Sequence, residues 1–143
     1  MARITDPVLG WTSQTEGGRR RWRLLEPLNY GVESAFGPTW LQVPAGFEFD
    51  LASIPRPVFW LFGWAGFRPD SVHPAGPCVH DWLYRNGGKV DVMVDEVMTE
   101  RQFTREEADD MFRQILIATG TPKWRANVMH TAVRAGGWKG WQG

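Results

Sequence analysis

The chain lacks most of what would declare a chemistry. It has a single cysteine, Cys78. No intrachain disulfide can form, and nothing marks it as an oxidised, disulfide-built scaffold. It has no charge bias: 16 Lys+Arg balance 16 Asp+Glu. There is therefore no nucleic-acid signal and no broad electrostatic pull toward an anionic membrane. No run approaches the roughly 20 apolar residues that cross a bilayer, so no transmembrane segment is expected. The opening Met1-Ala2-Arg3-Ile4-Thr5-Asp6-Pro7 lacks an apolar core, so no signal peptide is expected either. Cys-x-x-Cys, His-Glu-x-x-His and glycine-rich phosphate loops are absent. So is Gly-x-Ser-x-Gly, which argues against an α/β-hydrolase. No organic cofactor is expected.

Aromatics are plentiful: nine Trp and eight Phe in 143 residues. They predict an aromatic-rich core, or exposed rings at a partner or sugar surface. The length predicts one domain over residues 1–143. Residues 1–19 read as a polar arm or edge. Arg21-Trp22-Arg23-Leu24-Leu25 alternates and runs on to Gly31 as one strand ended by a turn. Thr39-Trp40-Leu41-Gln42-Val43 is a second strand, Pro44-Ala45-Gly46 a tight turn, and Phe47-Glu48-Phe49-Asp50 a third strand. Pro55 and Pro57 rule out a helix interior after that. The short apolar run at 58–64 suits a core turn or a lid. Val90, Val92 and Val94 alternate with Asp91, Met93 and Asp95, which fits a β-ribbon or a flexible insertion.

Thr104 and Glu107 stand at capping-box spacing and open a helix that Gly120 stops. Ala108, Met111, Phe112, Ile115 and Thr119 form its apolar stripe. Asp110 faces water, while Asp109 lies at the edge of the stripe. A last helix is expected over residues 122–134, with Val128, Met129, Ala132 and Val133 inward. A glycine-rich tail with two tryptophans covers residues 138–143. The expected fold class is α+β: a small antiparallel sheet from the first third packed with about three helices.

The most informative stretch is residues 78–86, read as a helix of about three turns. Cys78, Val79, Trp82 and Leu83 fall on one apolar face. His80 and Tyr84 sit one turn apart at its rim, and Asp81 with Arg85 lies nearer solvent. Cys78 and His80 point about 200° apart on the helix, so Cys78 reads as a small buried hydrophobe rather than a nucleophile. His130 is expected at the surface or partly packed, and nothing near His73 supports a role. A histidine oriented by a carboxylate from another element is a general-base arrangement, because the carboxylate fixes the tautomer. Asp109 could do this for His80. Asp81 would then be left for a hard cation, calcium or zinc, with Asp50 and the loop at Ser53 completing its site. The alternative is that His80, Tyr84 and Asp109 form a buried polar network that joins helices. Both readings place His80 and Asp109 within hydrogen-bonding reach, and the first places Asp50 near His80 or Asp81.

Four blocks in order carry a family resemblance: Val43-Pro44-Ala45-Gly46-Phe47, Asp50-Leu51-Ala52-Ser53-Ile54-Pro55, Val79-His80-Asp81-Trp82-Leu83-Tyr84 and Ala108-Asp109-Asp110-Met111-Phe112. Over residues 20–137 the chain resembles DUF1353, a family of short phage and prophage proteins. The 87–103 segment departs from the family by being longer. The resemblance implies a phage or prophage origin. It also implies a place in the virion or host cytoplasm, with other phage structural proteins or bacterial envelope components as partners. A second, local resemblance is to the active-site helix pair of secreted phospholipases A2. It implies His80 as base, Asp81 as calcium ligand, and Tyr84 with Asp109 as the orienting pair. The glycine-rich calcium loop and the disulfides of those enzymes are absent here. Two functions follow as expectations. One is a metal-assisted hydrolase acting on phospholipid or cell-wall material as the phage enters or lyses its host. The other is a virion or tail-assembly protein that uses the cluster only for folding.

Overall fold

The computed structural model describes the backbone of residues 3–4, 9–16, 19–32, 39–50 and 74–142. Strands β1 (Arg3–Ile4), β2 (Leu9–Glu16), β3 (Arg19–Leu24), β4 (Leu28–Val32), β5 (Thr39–Val43) and β6 (Glu48–Asp50) come first. Helix α1 (Ala75–Arg85) follows, then β7 (Lys89–Val94), β8 (Val97–Gln102), α2 (Arg105–Ala118) and α3 (Lys123–Gly136). A 3-10 turn, Gly137–Gly140, continues from α3. The architecture is α+β, as the sequence predicts.

The strands form two antiparallel sheets where one was expected. The larger runs β1-β4-β5-β7-β8 and the smaller β2-β3-β6. The expected single strand over residues 21–31 is in fact two, β3 and β4, in different sheets. The break holds Pro27, which has no N–H to donate to a ladder. The β5–β6 turn then carries the chain across: Phe47 N donates to Pro44 O at 3.4 Å, and Leu24 N to Phe47 O at 3.0 Å. This aligns β6 with β3, with Trp22 opposite Phe49. The residues expected to be an arm or edge supply β1 and β2, both edge strands.

The core face of the larger sheet is a ladder of alternating residues. Tyr30 lies opposite Leu41, and Leu41 opposite Val92. All three are buried, along with Leu28, Val43 and Val90. The valine alternation is thus a ribbon, β7–β8. Its two-residue turn has Asp95 at φ +49 and Glu96 at φ +65, the left-handed pair that matches strand twist in a tight hairpin.

Helix α1 begins three residues earlier than its apolar face suggests. Pro77 lies in the first turn, where backbone N–H groups have no helical acceptor, so its missing donor costs nothing. The first helical bond is Cys78 N to Pro74 O, 3.0 Å. Gly76 lets α1 and α2 approach closely: a Cβ there would sit 3.2 Å from Leu116 Cδ2 and 3.6 Å from Phe112. Helix α2 starts at the predicted capping box. Thr104 Oγ1 accepts from Glu107 N at 3.1 Å, and Thr104 N donates to Glu107 Oε1 at 3.0 Å.

Candidate functional site

Helix α1 carries His80 and Tyr84 one turn apart, and α2 carries Asp109 at the edge of its apolar stripe. Packing α2 on α1 turns both edges into interior. The Phe112 ring lies 4.6 Å from the His80 ring, and the Tyr84 ring 4.2 Å from it. His80 is therefore 2% exposed and Asp109 0%, not rim residues as the helical wheel alone suggests. The expected contact forms. His80 Nε2 is 2.8 Å from Asp109 Oδ1, and Tyr84 Oη donates to the same oxygen at 2.6 Å.

The second carboxylate oxygen is held by a residue the sequence reading missed. Arg134 Nη1, on α3, donates to Asp109 Oδ2 at 2.9 Å. Arg105 Nη1 lies 3.6 Å from the same oxygen, one helical turn before Asp109. Arg105 also donates to Val133 O and Arg134 O, at 3.2 and 3.3 Å. It thereby ties the start of α2 to the last carbonyls of α3. The i, i+4 spacing of Arg105 and Asp109 is readable in the sequence. The Arg134 contact spans two helices and has no local signal.

The electrostatics fix the proton. Burial pushes the Asp109 carboxyl up, but hydrogen bonds from His80, Tyr84 and Arg134 outweigh it, and the group sits below the usual carboxylate range. An ionised carboxylate only accepts, so His80 Nε2 must carry the hydrogen. Burial, aided by Arg105, pushes His80 below its ordinary value despite the pull of Asp109. The ring is neutral near pH 7, with an unprotonated Nδ1. That Nδ1 is buried and has no hydrogen-bond partner among the described residues. Burial also raises Tyr84, which keeps its phenol protonated as a donor.

Of the other expected residues, those described fall outside this cluster. Asp81 is half-buried and pairs with Arg85 at 3.2 Å, its Oδ2 less open to solvent than expected. Cys78 is buried, and burial raises its thiol well above the ordinary value, so it is inert core. His130 is half-buried and bonds Asp110 Oδ1 at 2.8 Å. Asp50 aligns with Arg21 in the β3–β6 ladder. Its side chain lies outside the described residues, as do Ser53, the 58–64 run and His73. Among the described residues, no three His, Cys, Asp or Glu side chains converge as a metal site. Asp81 is the single described carboxylate of the expected cation set. No helix among the described residues is long and apolar enough to cross a membrane.

Fold and site together define a class: a small α+β protein whose three helices converge on one buried, ionised carboxylate. Residues 22–133 match a family described as a protein of unknown function, DUF1353, and the chain belongs to that family. The match includes His80, Tyr84, Arg105 and Asp109 and stops one residue short of Arg134. No curated protein and no solved structure matches the chain.

Proposed function

We propose that this chain is a hydrolase in which His80 is the general base. One observation carries the reading: His80 Nε2 is committed to Asp109 at 2.8 Å, while the buried Nδ1 has no partner among the described residues. A buried acceptor without a hydrogen bond is costly, and such atoms gather where a reacting molecule supplies the missing donor. In the proposed step, Nδ1 takes a proton from a water whose oxygen attacks the carbonyl carbon of an ester or amide. The ring then returns that proton to the departing oxygen or nitrogen as its bond to carbon breaks. Asp109 keeps the Nε2–H throughout and stabilises the transiently charged ring, and Tyr84 and Arg134 keep Asp109 in place. Phospholipid or cell-wall material, met as a phage enters or lyses its host, is the proposed substrate class.

The test is a turnover screen on phospholipid vesicles, simple esters and peptidoglycan, with and without calcium or zinc. His80→Gln is the control, because glutamine can still donate to Asp109 and leaves less of a void than alanine. Turnover by the wild type, lost in His80→Gln with the fold retained, supports the reading. No turnover on any substrate, or equal turnover in both proteins, overturns it.

A second reading has its own supporting observation. The Asp109 carboxylate accepts from α1 and from α3 while sitting on α2. Such a network joins three helices whether or not it reacts. On that reading the chain is a non-enzymatic virion or tail-assembly component. Retained assembly of particles carrying His80→Gln would favour it.

A further inference from the structure

The glycine-rich tail after α3 has no place in the mechanism above, yet it lies against one member of the cluster. Gln142 N donates to Tyr84 O at 3.1 Å. The Trp141 ring meets the Tyr84 ring edge to face, with centroids 5.2 Å apart and planes at 89°. A Cβ at Gly140 would be in ordinary contact with Tyr84 Cδ2 at 3.6 Å. Gly137 is different. A Cβ there would stand 2.6 Å from Tyr84 Oη, 3.2 Å from Cε2 and 3.3 Å from Cζ. The backbone of Gly137 is ordinary right-handed helix, φ −74 and ψ −15, open to any residue. Glycine is needed at this position for space rather than for backbone freedom.

The Tyr84 ring cannot simply move aside. The His80 ring lies tilted against it at 4.2 Å, Trp141 closes another side, and its hydroxyl is bound to Asp109 at 2.6 Å. We propose that the segment from Gly137 to Gln142 is a strap that positions Tyr84, with Gly137 as the positioning residue that leaves its hydroxyl room to reach Asp109. Asp109 in turn holds His80, so the strap acts on the base through two hydrogen bonds. The structural part of this inference stands without any turnover, and its catalytic part rests on the general-base reading.

The test is a double-mutant cycle on the full chain: wild type, Gly137→Ala, Tyr84→Phe and the double variant. Removing the hydroxyl removes the atom that the new Cβ would meet at 2.6 Å. Gly137→Ala should therefore lower the melting temperature by several degrees in the wild type and by clearly less in the Tyr84→Phe background. Should Gly137→Ala fail to fold, the double variant should still fold. Equal losses in both backgrounds, no loss in either, or failure of both Gly137→Ala proteins to fold overturns the strap. With a substrate in hand, Gly137→Ala should lower kcat roughly tenfold to a hundredfold with KM little changed, as misplacement of about 1 Å can. Gly137→Ala should then add no further loss to Tyr84→Phe. Melting-temperature coupling without turnover in any protein keeps the strap and removes the hydrolase; turnover without coupling does the reverse.

Discussion

Asp109 is the residue on which the most depends. It is fully buried, and Arg134 is its shortest charged contact. Asp109→Ala leaves the His80 Nε2–H and the Tyr84 hydroxyl without an acceptor in the interior, while the part-exposed Arg134 guanidinium turns to water. Each buried donor left unsatisfied costs about 1–3 kcal/mol, so the two together are a large share of the roughly 5–15 kcal/mol that holds a domain folded. Urea unfolding should show that loss, and a midpoint within error of wild type would refute it. His80→Ala does not separate a catalytic from a structural role, because a 2% exposed ring leaves a cavity in either case. The pH dependence has a definite sign. His80 is lowered from 6.5, so between 6.5 and its lower folded value the unfolded chain binds a proton that the folded chain refuses. Its stability contribution is full above 6.5 and falls with acidification. Asp109, lowered from 3.8, adds a second loss of the same sign in more acid solution. Stability measured from pH 7.5 down to pH 5 should decline, and the decline should shrink in His80→Gln. A flat profile would contradict the neutral buried ring.

At the scale of elements, α2 is the organising helix. Its capping box fixes where it begins, and that phase sets Arg105 and Asp109 one turn apart, with Asp110 outward. Thr104→Ala removes the acceptor for Glu107 N and should cost about 1 kcal/mol. The effect belongs to the first turn, so hydrogen exchange should quicken most around residues 104–109. Uniform quickening across α2 would place the loss elsewhere. The β7–β8 hairpin shows the converse. Its valines announce the buried face, but its turn uses Asp95 and Glu96 at positive φ rather than the usual glycine or asparagine, so no turn signal marked it from outside.

For the whole molecule, the open matter is the expected cation at Asp81, which Asp50 and Ser53 would have to complete. A ligand that binds only the folded state stabilises it, by about 2.7 kcal/mol at a hundredfold excess over Kd. Calcium or zinc should then raise the melting temperature of the wild type and not of Asp81→Asn. No rise in the wild type removes the expected cation from Asp81.

The sequence by itself determined the α+β class, the strand at 39–43, the capping box and helix phases, the inert core placement of Cys78 and the places of His80 and Asp109 at the edges of their helices' apolar stripes. Each is written in local periodicity or cap chemistry, which acts over a few residues and survives in any packing. Tertiary structure alone decided the rest. It split the strands into two sheets, because the ladder partner of β6 is fixed by a turn and a proline break rather than by its own alternation. It took His80 and Asp109 from the rim to the interior, because burial belongs to the pair of packed helices and not to either one. It brought Arg134 to Asp109 and Gly137 to Tyr84, because contacts between elements depend on where helices cross, which no single helix encodes.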